Sequence, residues 1–174
     1  MRRVISLYLP RWPTDRRRKS SADAPPSRDV PLVLAGREGG RRLVTALDAV
    51  AESHGLRLGV AVAKAQALVP GLAVMPAAPA GDAEGLERLA GWALRFSPIV
   101  APDPPDGLAI DSTGADHLHG GEAAMLSSLV ERLAASGIEA RAAIADTWGA
   151  AHAGARCSAR TTTVVAPGTG AAIL

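Results

Sequence analysis

Pro104-Pro105-Asp106-Gly107-Leu108-Ala109-Ile110-Asp111-Ser112-Thr113-Gly114 is the stretch that decides how this chain is read. It reads as a short acidic strand. Its natural partner is the N-terminal strand Val4-Ile5-Ser6-Leu7-Tyr8-Leu9-Pro10, which carries no carboxylate. A site that moves phosphoryl groups with two metal ions needs several anionic oxygens converging on hard cations. The acidic strand therefore looks like half of such a site, opposite a strand that supplies nothing. Asp106 and Asp111 stand five positions apart, on opposite faces of a regular strand. Asp111 is accordingly expected to hydrogen-bond the Ser112-Thr113-Gly114 turn rather than join Asp106.

Working outward, Arg3 to Leu9 reads as a strand ended by Pro10, and residues 13–30, rich in charge, Ser and Pro, as a loop. Residues 31–35 and 42–46 read as a hairpin around a wide turn from Gly36 to Gly40. Asp48 caps a helix to His54, and a second helix over about 61–69 ends at Pro70-Gly71. Residues 72–75 form another strand. Helices over 82–96 and 122–136 carry apolar stripes, the first through Leu86, Leu89, Ala90, Ala93 and Leu94, the second through Leu126, Leu129, Val130 and Leu133. A strand over 138–145, a helix capped by Asp146 or Thr147, and a strand over 161–165 follow. This alternation suits an α/β chain of the α+β kind, with an antiparallel or mixed sheet covered by helices on one face. The chain stops at Gly170 to Leu174 just as another element begins, as a fragment would.

At 174 residues the chain fits one domain, or one compact domain with a small lobe inserted. Its apolar fraction is 48% but aromatics are only 3%, so the core must rest on Ala, Leu and Val. A lone Cys157 excludes an internal disulfide framework and suits a reducing compartment, with the thiol expected to be buried or inert. No apolar run approaches a membrane span and no cleavable leader is evident, so the expected location is the cytoplasm. The net charge of +2 conceals an asymmetry, since residues 1–42 hold eleven Arg and Lys against four acids. A basic first quarter containing Arg16-Arg17-Arg18-Lys19 is a footprint for a polyanion or a solvated loop.

With these elements in this order, the chain resembles the Y-family (UmuC-type) translesion DNA polymerases and most of all their ImuB-type subgroup. The resemblance is carried by Leu9-Pro10-Arg11-Trp12-Pro13-Thr14-Asp15-Arg16, by Gly55-Leu56-Arg57-Leu58-Gly59-Val60-Ala61 with residues 65–72, and by Phe96 to Leu108. Asp111 to Gly114, His117-Leu118-His119-Gly120-Gly121 and Ala143-Ile144-Ala145-Asp146-Thr147 extend it over nearly the whole chain. It implies a ferredoxin-like polymerase palm, from residues 1–10 and 77–174, with a fingers-like lobe inserted at 11–76.

By the same resemblance, Tyr8 and Pro10 occupy the Asp-x-Asp positions of the active enzymes, and Asp106-Gly107 the Asp-Glu positions. Asp106 is then the one retained candidate ligand, and no intact catalytic or metal site remains. Pro10 lacks even a backbone N–H, and Tyr8 offers a neutral phenol. The nucleotide-contacting Tyr and Arg of the fingers correspond to Ala49 and Glu52. The expectation is no nucleotidyl transfer and no cofactor, with Mg²⁺ involved only if residual polymerase activity exists. What would remain is a body shaped for primer–template DNA, gripping phosphates through Arg11, Arg16, Arg17, Arg18, Lys19, Arg37, Arg41 and Arg42. The resemblance further implies partners: an error-prone replicative-type polymerase, the RecA-like accessory protein ImuA, and the sliding clamp, engaged through a region beyond this chain. Two alternatives stand beside this scaffold: a residually active translesion polymerase, and a ferredoxin-like regulatory or small-ligand domain unrelated to DNA.

The other constellations are weak. Asp116-His117-Leu118-His119 has metal-ligand types but reads as a polar turn, and His54 and His152 as ordinary surface or core residues.

Overall fold

Val4–Tyr8 (β1) is a strand because β-branched and aromatic residues favour the pleated surface, and Pro10 ends it by withholding an N–H. β1 lies at the centre of a five-stranded sheet. On one side it pairs antiparallel with Gly107–Asp111 (β6), and on the other with Arg141–Ala145 (β7). Ile99–Asp103 (β5) flanks β6, and Thr162–Val164 (β8) lies parallel to β7, for an order β5-β6-β1-β7-β8. The first four of these, with the helices Pro79–Ala93 (α4) and Glu122–Ala135 (α5) between them, make the ferredoxin-like arrangement. This computed structural model describes residues 2–20 and 24–169; the final residues Gly170 to Leu174, read above as the start of another element, lie outside them.

Both faces of the sheet are covered, not one. Ile5, Leu7, Leu108, Ile110 and Ile144 are fully buried on one side, each burial contributing about 1.5–3 kcal/mol. Arg3, on that same side of the chain, reaches Glu122 at the start of α5. The other side carries small residues, Ser6 and Ala143, and Trp148–Cys157 (α6) lies on them. A Cβ at Gly154 of α6 would come 3.0 Å from the Ala143 Cβ, so the small residues are what let the helix approach.

The second compact unit runs from Arg11 to Asp82. Its three-stranded sheet has the order β3-β2-β4, built from Leu32–Glu38 (β2), Arg41–Leu47 (β3) and Ala73–Pro76 (β4). Helices Ala49–Ser53 (α2) and Val62–Leu68 (α3) bring Ala51, Val62 and Ala65 onto Val33, Ala35 and Val44. The hairpin turn is two residues, not wide: Gly39 and Gly40 both take positive φ, 53° and 79°. That is the geometry that matches strand twist in a tight hairpin.

The segment read as a loop contains a helix, Trp12–Lys19 (α1). Periodicity could not reveal it, because only Trp12 and Thr14 are buried and, Pro13 apart, the rest is charged. Tertiary contacts hold it instead: the Trp12 indole N–H donates to the Asp82 carbonyl at 3.0 Å. Cys157, expected to be buried or inert, is exposed at the end of α6, so it is not a buried residue. No described helix is long and apolar enough to cross a membrane.

Candidate functional site

Asp106 sits not within a strand but in the three-residue turn between β5 and β6, and its carbonyl accepts a hydrogen bond from Leu9 N–H at 2.8 Å. That bond fixes the end of β1 beside the turn and brings Tyr8 opposite Gly107 in register. Sheet pairing thus assembles three of the four positions singled out from sequence, with Pro10 just past the end of β1. The strands meet closely here. A Cβ at position 107 would lie 2.6 Å from the Leu7 carbonyl oxygen, so any side chain there requires the strands to shift.

The sequence reading missed the group that completes this site. Trp148, His152 and Arg156 recur every four residues along α6 and so lie on one helix face. Arg156 Nη2 stands 2.7 Å from Asp106 Oδ1 and 3.5 Å from Asp103 Oδ2, and its guanidinium carbon lies 4.6 Å from the Tyr8 ring centroid. His152 Nε2 is 3.8 Å from Asp103 Oδ2, and its ring packs at 5.5 Å on Trp148. His152 is therefore no bystander, and Asp106 has a second carboxylate for company. The i, i+4, i+8 spacing was the available signal; only the fold shows that it points at the acidic turn. Among the described residues, no three His, Cys, Asp or Glu side chains are arranged to hold a metal ion.

Asp111 follows the expectation. Its Oδ1 accepts from Thr113 N–H at 3.0 Å, and the Thr113 hydroxyl and amide hold its carboxyl below the usual range. His117 and His119 lie in a 3₁₀ turn, Asp116–His119, and His119 stacks on Phe96 with its Nε2 3.2 Å from the Phe96 carbonyl. Asp146 is also held below its ordinary value, by Gly168 N–H and then by Arg3.

The basic residues divide into two sets. On α1, Arg18 donates to the carbonyls of Pro26, Ser27 and Val30 and to Asp48 Oδ2 at 2.6 Å. Asp48 in turn caps α2 at Ala51 N–H and accepts from Leu32 N–H. Arg16 is paired with Asp82 at 2.5 Å, and Arg11 with Glu52. On the hairpin, Arg37, Arg41 and Arg42 are exposed, as is Lys19 at the end of α1. Arg37 and Arg42 are cross-strand partners, while Arg41 faces Glu38. Like charges directly opposite each other destabilise a ladder, and an anion between them relieves this. Arg37 and Arg42 also line a concave surface of about 690 Å³, with Leu43, Val74 and Pro76 forming its apolar floor.

Residues 20–156 match the sequence model of IMS, the impB/mucB/samB family. The chain belongs to the impB/mucB/samB family. Within it, this chain is 59% identical over 102 residues to Protein ImuB of Caulobacter vibrioides, covering 59% of this chain and 22% of that protein. It is 28% identical over 110 residues to DNA polymerase IV of Pseudoalteromonas atlantica, covering 63% and 31%. The chain thus spans less than a third of the curated relatives it matches. In structure it is similar to DinB from Sulfolobus solfataricus, with a TM-score of 0.73 and 16% identity over 96% of this chain and 49% of that one. It is likewise similar to Dbh DNA polymerase in a post-insertion binary complex, with a TM-score of 0.77 and 16% identity over 94% and 48%. These similarities establish the fold of Y-family polymerases in a chain of the IMS family.

Proposed function

We propose that this chain is a DNA-binding, polymerase-shaped scaffold that does not itself transfer nucleotides, acting in translesion synthesis and induced mutagenesis. One observation carries the reading: the cross-strand pair Tyr8–Gly107 holds no carboxylate, and position 107 has no room for one without moving the Leu7 backbone. Two Mg²⁺ ions need several anionic oxygens, and Asp103 and Asp106, already shared with Arg156, do not supply that set. In this reading residues 1–10 and 77–174 serve as palm and 11–76 as fingers, and no cofactor is required. The exposed arginines of the hairpin grip the phosphate backbone without sequence preference. Synthesis is then the work of an error-prone replicative-type polymerase, with ImuA and the sliding clamp as further partners, in the cytoplasm.

The test is primer extension on undamaged and lesion templates, paired with a salt titration of primer–template binding. The expected result is salt-sensitive binding and no extended product. Mg²⁺-dependent extension that disappears in Asp106→Ala would instead establish a residually active polymerase. Absence of binding even at low salt would leave a regulatory or small-ligand domain.

A further inference from the structure

The resemblance to active polymerases implies metal ions at this site, but the residues present here do not fit one, and the reason is a charge already in place. A guanidinium presents several N–H donors in a plane and is matched to carboxylates. Arg156 turns one of its nitrogens toward two different carboxylates, at 2.7 Å from Asp106 and 3.5 Å from Asp103. It bridges them from the face of Tyr8, whose ring lies 4.6 Å away and attracts the cation without competing for it as a carboxylate would. The side chain is only 22% exposed, so its charge is poorly screened. Two carboxylates and one guanidinium sum to a single negative charge, too little to draw in a dication beside a fixed positive charge. Arg156 Nη1 and Asp103 Oδ2 have no hydrogen-bond partner among the described residues, so the ion pair accounts for the approach of these groups by charge rather than by a complete hydrogen-bond network.

We propose that Arg156 is the resident cation of this site, holding Asp103 and Asp106 together in place of a dissociable metal ion and keeping divalent cations out. This rests on the reading of the chain as a Y-family body without polymerase chemistry, but the two fail by different measurements. Removing Arg156 does not restore acids at Tyr8, Pro10 or Gly107, so Arg156→Ala is expected to extend no primer. What it exposes is a pair of carboxylates able to bind one hydrated divalent ion.

The test uses Mn²⁺ alone, followed by the paramagnetic resonance signal of the free ion. The unaltered chain should leave that signal unchanged into the millimolar range. Arg156→Ala should bind about one Mn²⁺ roughly tenfold or more tightly than the unaltered chain. Adding Asp103→Asn and Asp106→Asn should abolish that binding, and Arg156→Lys, which keeps the charge, should resemble the unaltered chain. If Arg156→Ala is partly unfolded, millimolar Mn²⁺ should raise its melting temperature by roughly 3 °C or more, because an ion that binds only the folded state stabilises it. The proposal is overturned if folded Arg156→Ala binds Mn²⁺ no better than the unaltered chain, if binding survives both Asn substitutions, or if Mn²⁺ leaves the melting temperature of an unstable variant unmoved.

Discussion

Two clusters of arginines lie within one compact unit and do opposite things. Those of α1 are turned inward and used up: Arg18 meets four acceptors, and Arg16 meets Asp82. Those of the β2–β3 hairpin are exposed, with Arg37 set directly against Arg42. In sequence the α1 run is the more conspicuous, because four cations stand together. The fold reverses that ranking. Density of charge says little about availability; what matters is whether a buried carboxylate stands within reach.

The sharpest way to break the comparison is to remove Arg18. Both Arg18 and Asp48 side chains are 9% exposed, so Arg18→Ala strands a buried charge and takes a side-chain donor from the Pro26 and Val30 carbonyls. A loss of about 3 kcal/mol or more is expected by urea denaturation. A loss under roughly 1 kcal/mol would mean that Arg18 is a surface residue after all.

The hairpin should behave in the reverse way. Replacing Arg37, Arg41 and Arg42 together by Ala should lower DNA affinity about tenfold or more at moderate salt and flatten the salt dependence by two to three counterions. Stability should move by no more than about 0.5 kcal/mol per site, since these side chains are exposed. An unchanged salt slope in a binding titration would refute the assignment of the hairpin to the phosphate backbone.

The smallest effect is one of acid titration. Asp111 and Asp146 are both held below the ordinary carboxylate value, so the unfolded chain takes up their protons first as pH falls. Their contribution is fully present above the unfolded pKa of about 4, and it is lost as pH drops through the folded values. Asp111→Asn should therefore lower stability modestly at pH 7 and converge on the unaltered chain as pH falls below about 4, so that the acid side of its stability curve, read from urea midpoints, is flatter.

Much of the fold was legible because it is local. Leu86, Leu89 and Ala93 mark α4 by their spacing, Leu126, Leu129 and Leu133 mark α5, and Asp48 announces α2. α1 was not legible, since a helix with two buried residues has no stripe to read. The cover on the second face of the sheet was hidden for a related reason: Ser6, Ala143 and Gly154 look unremarkable until a helix needs them to be small.

The sequence by itself determined that Tyr8, Pro10 and Gly107 carry no carboxylate, because composition at a position is independent of folding. Only the tertiary structure decided what became of Asp106. Its partner Arg156 lies 50 residues away on another element, and Arg16 finds Asp82 at a separation of 66. Pairings of that range are set by sheet register and helix packing, which bring together side chains whose neighbours in sequence give no sign of the encounter.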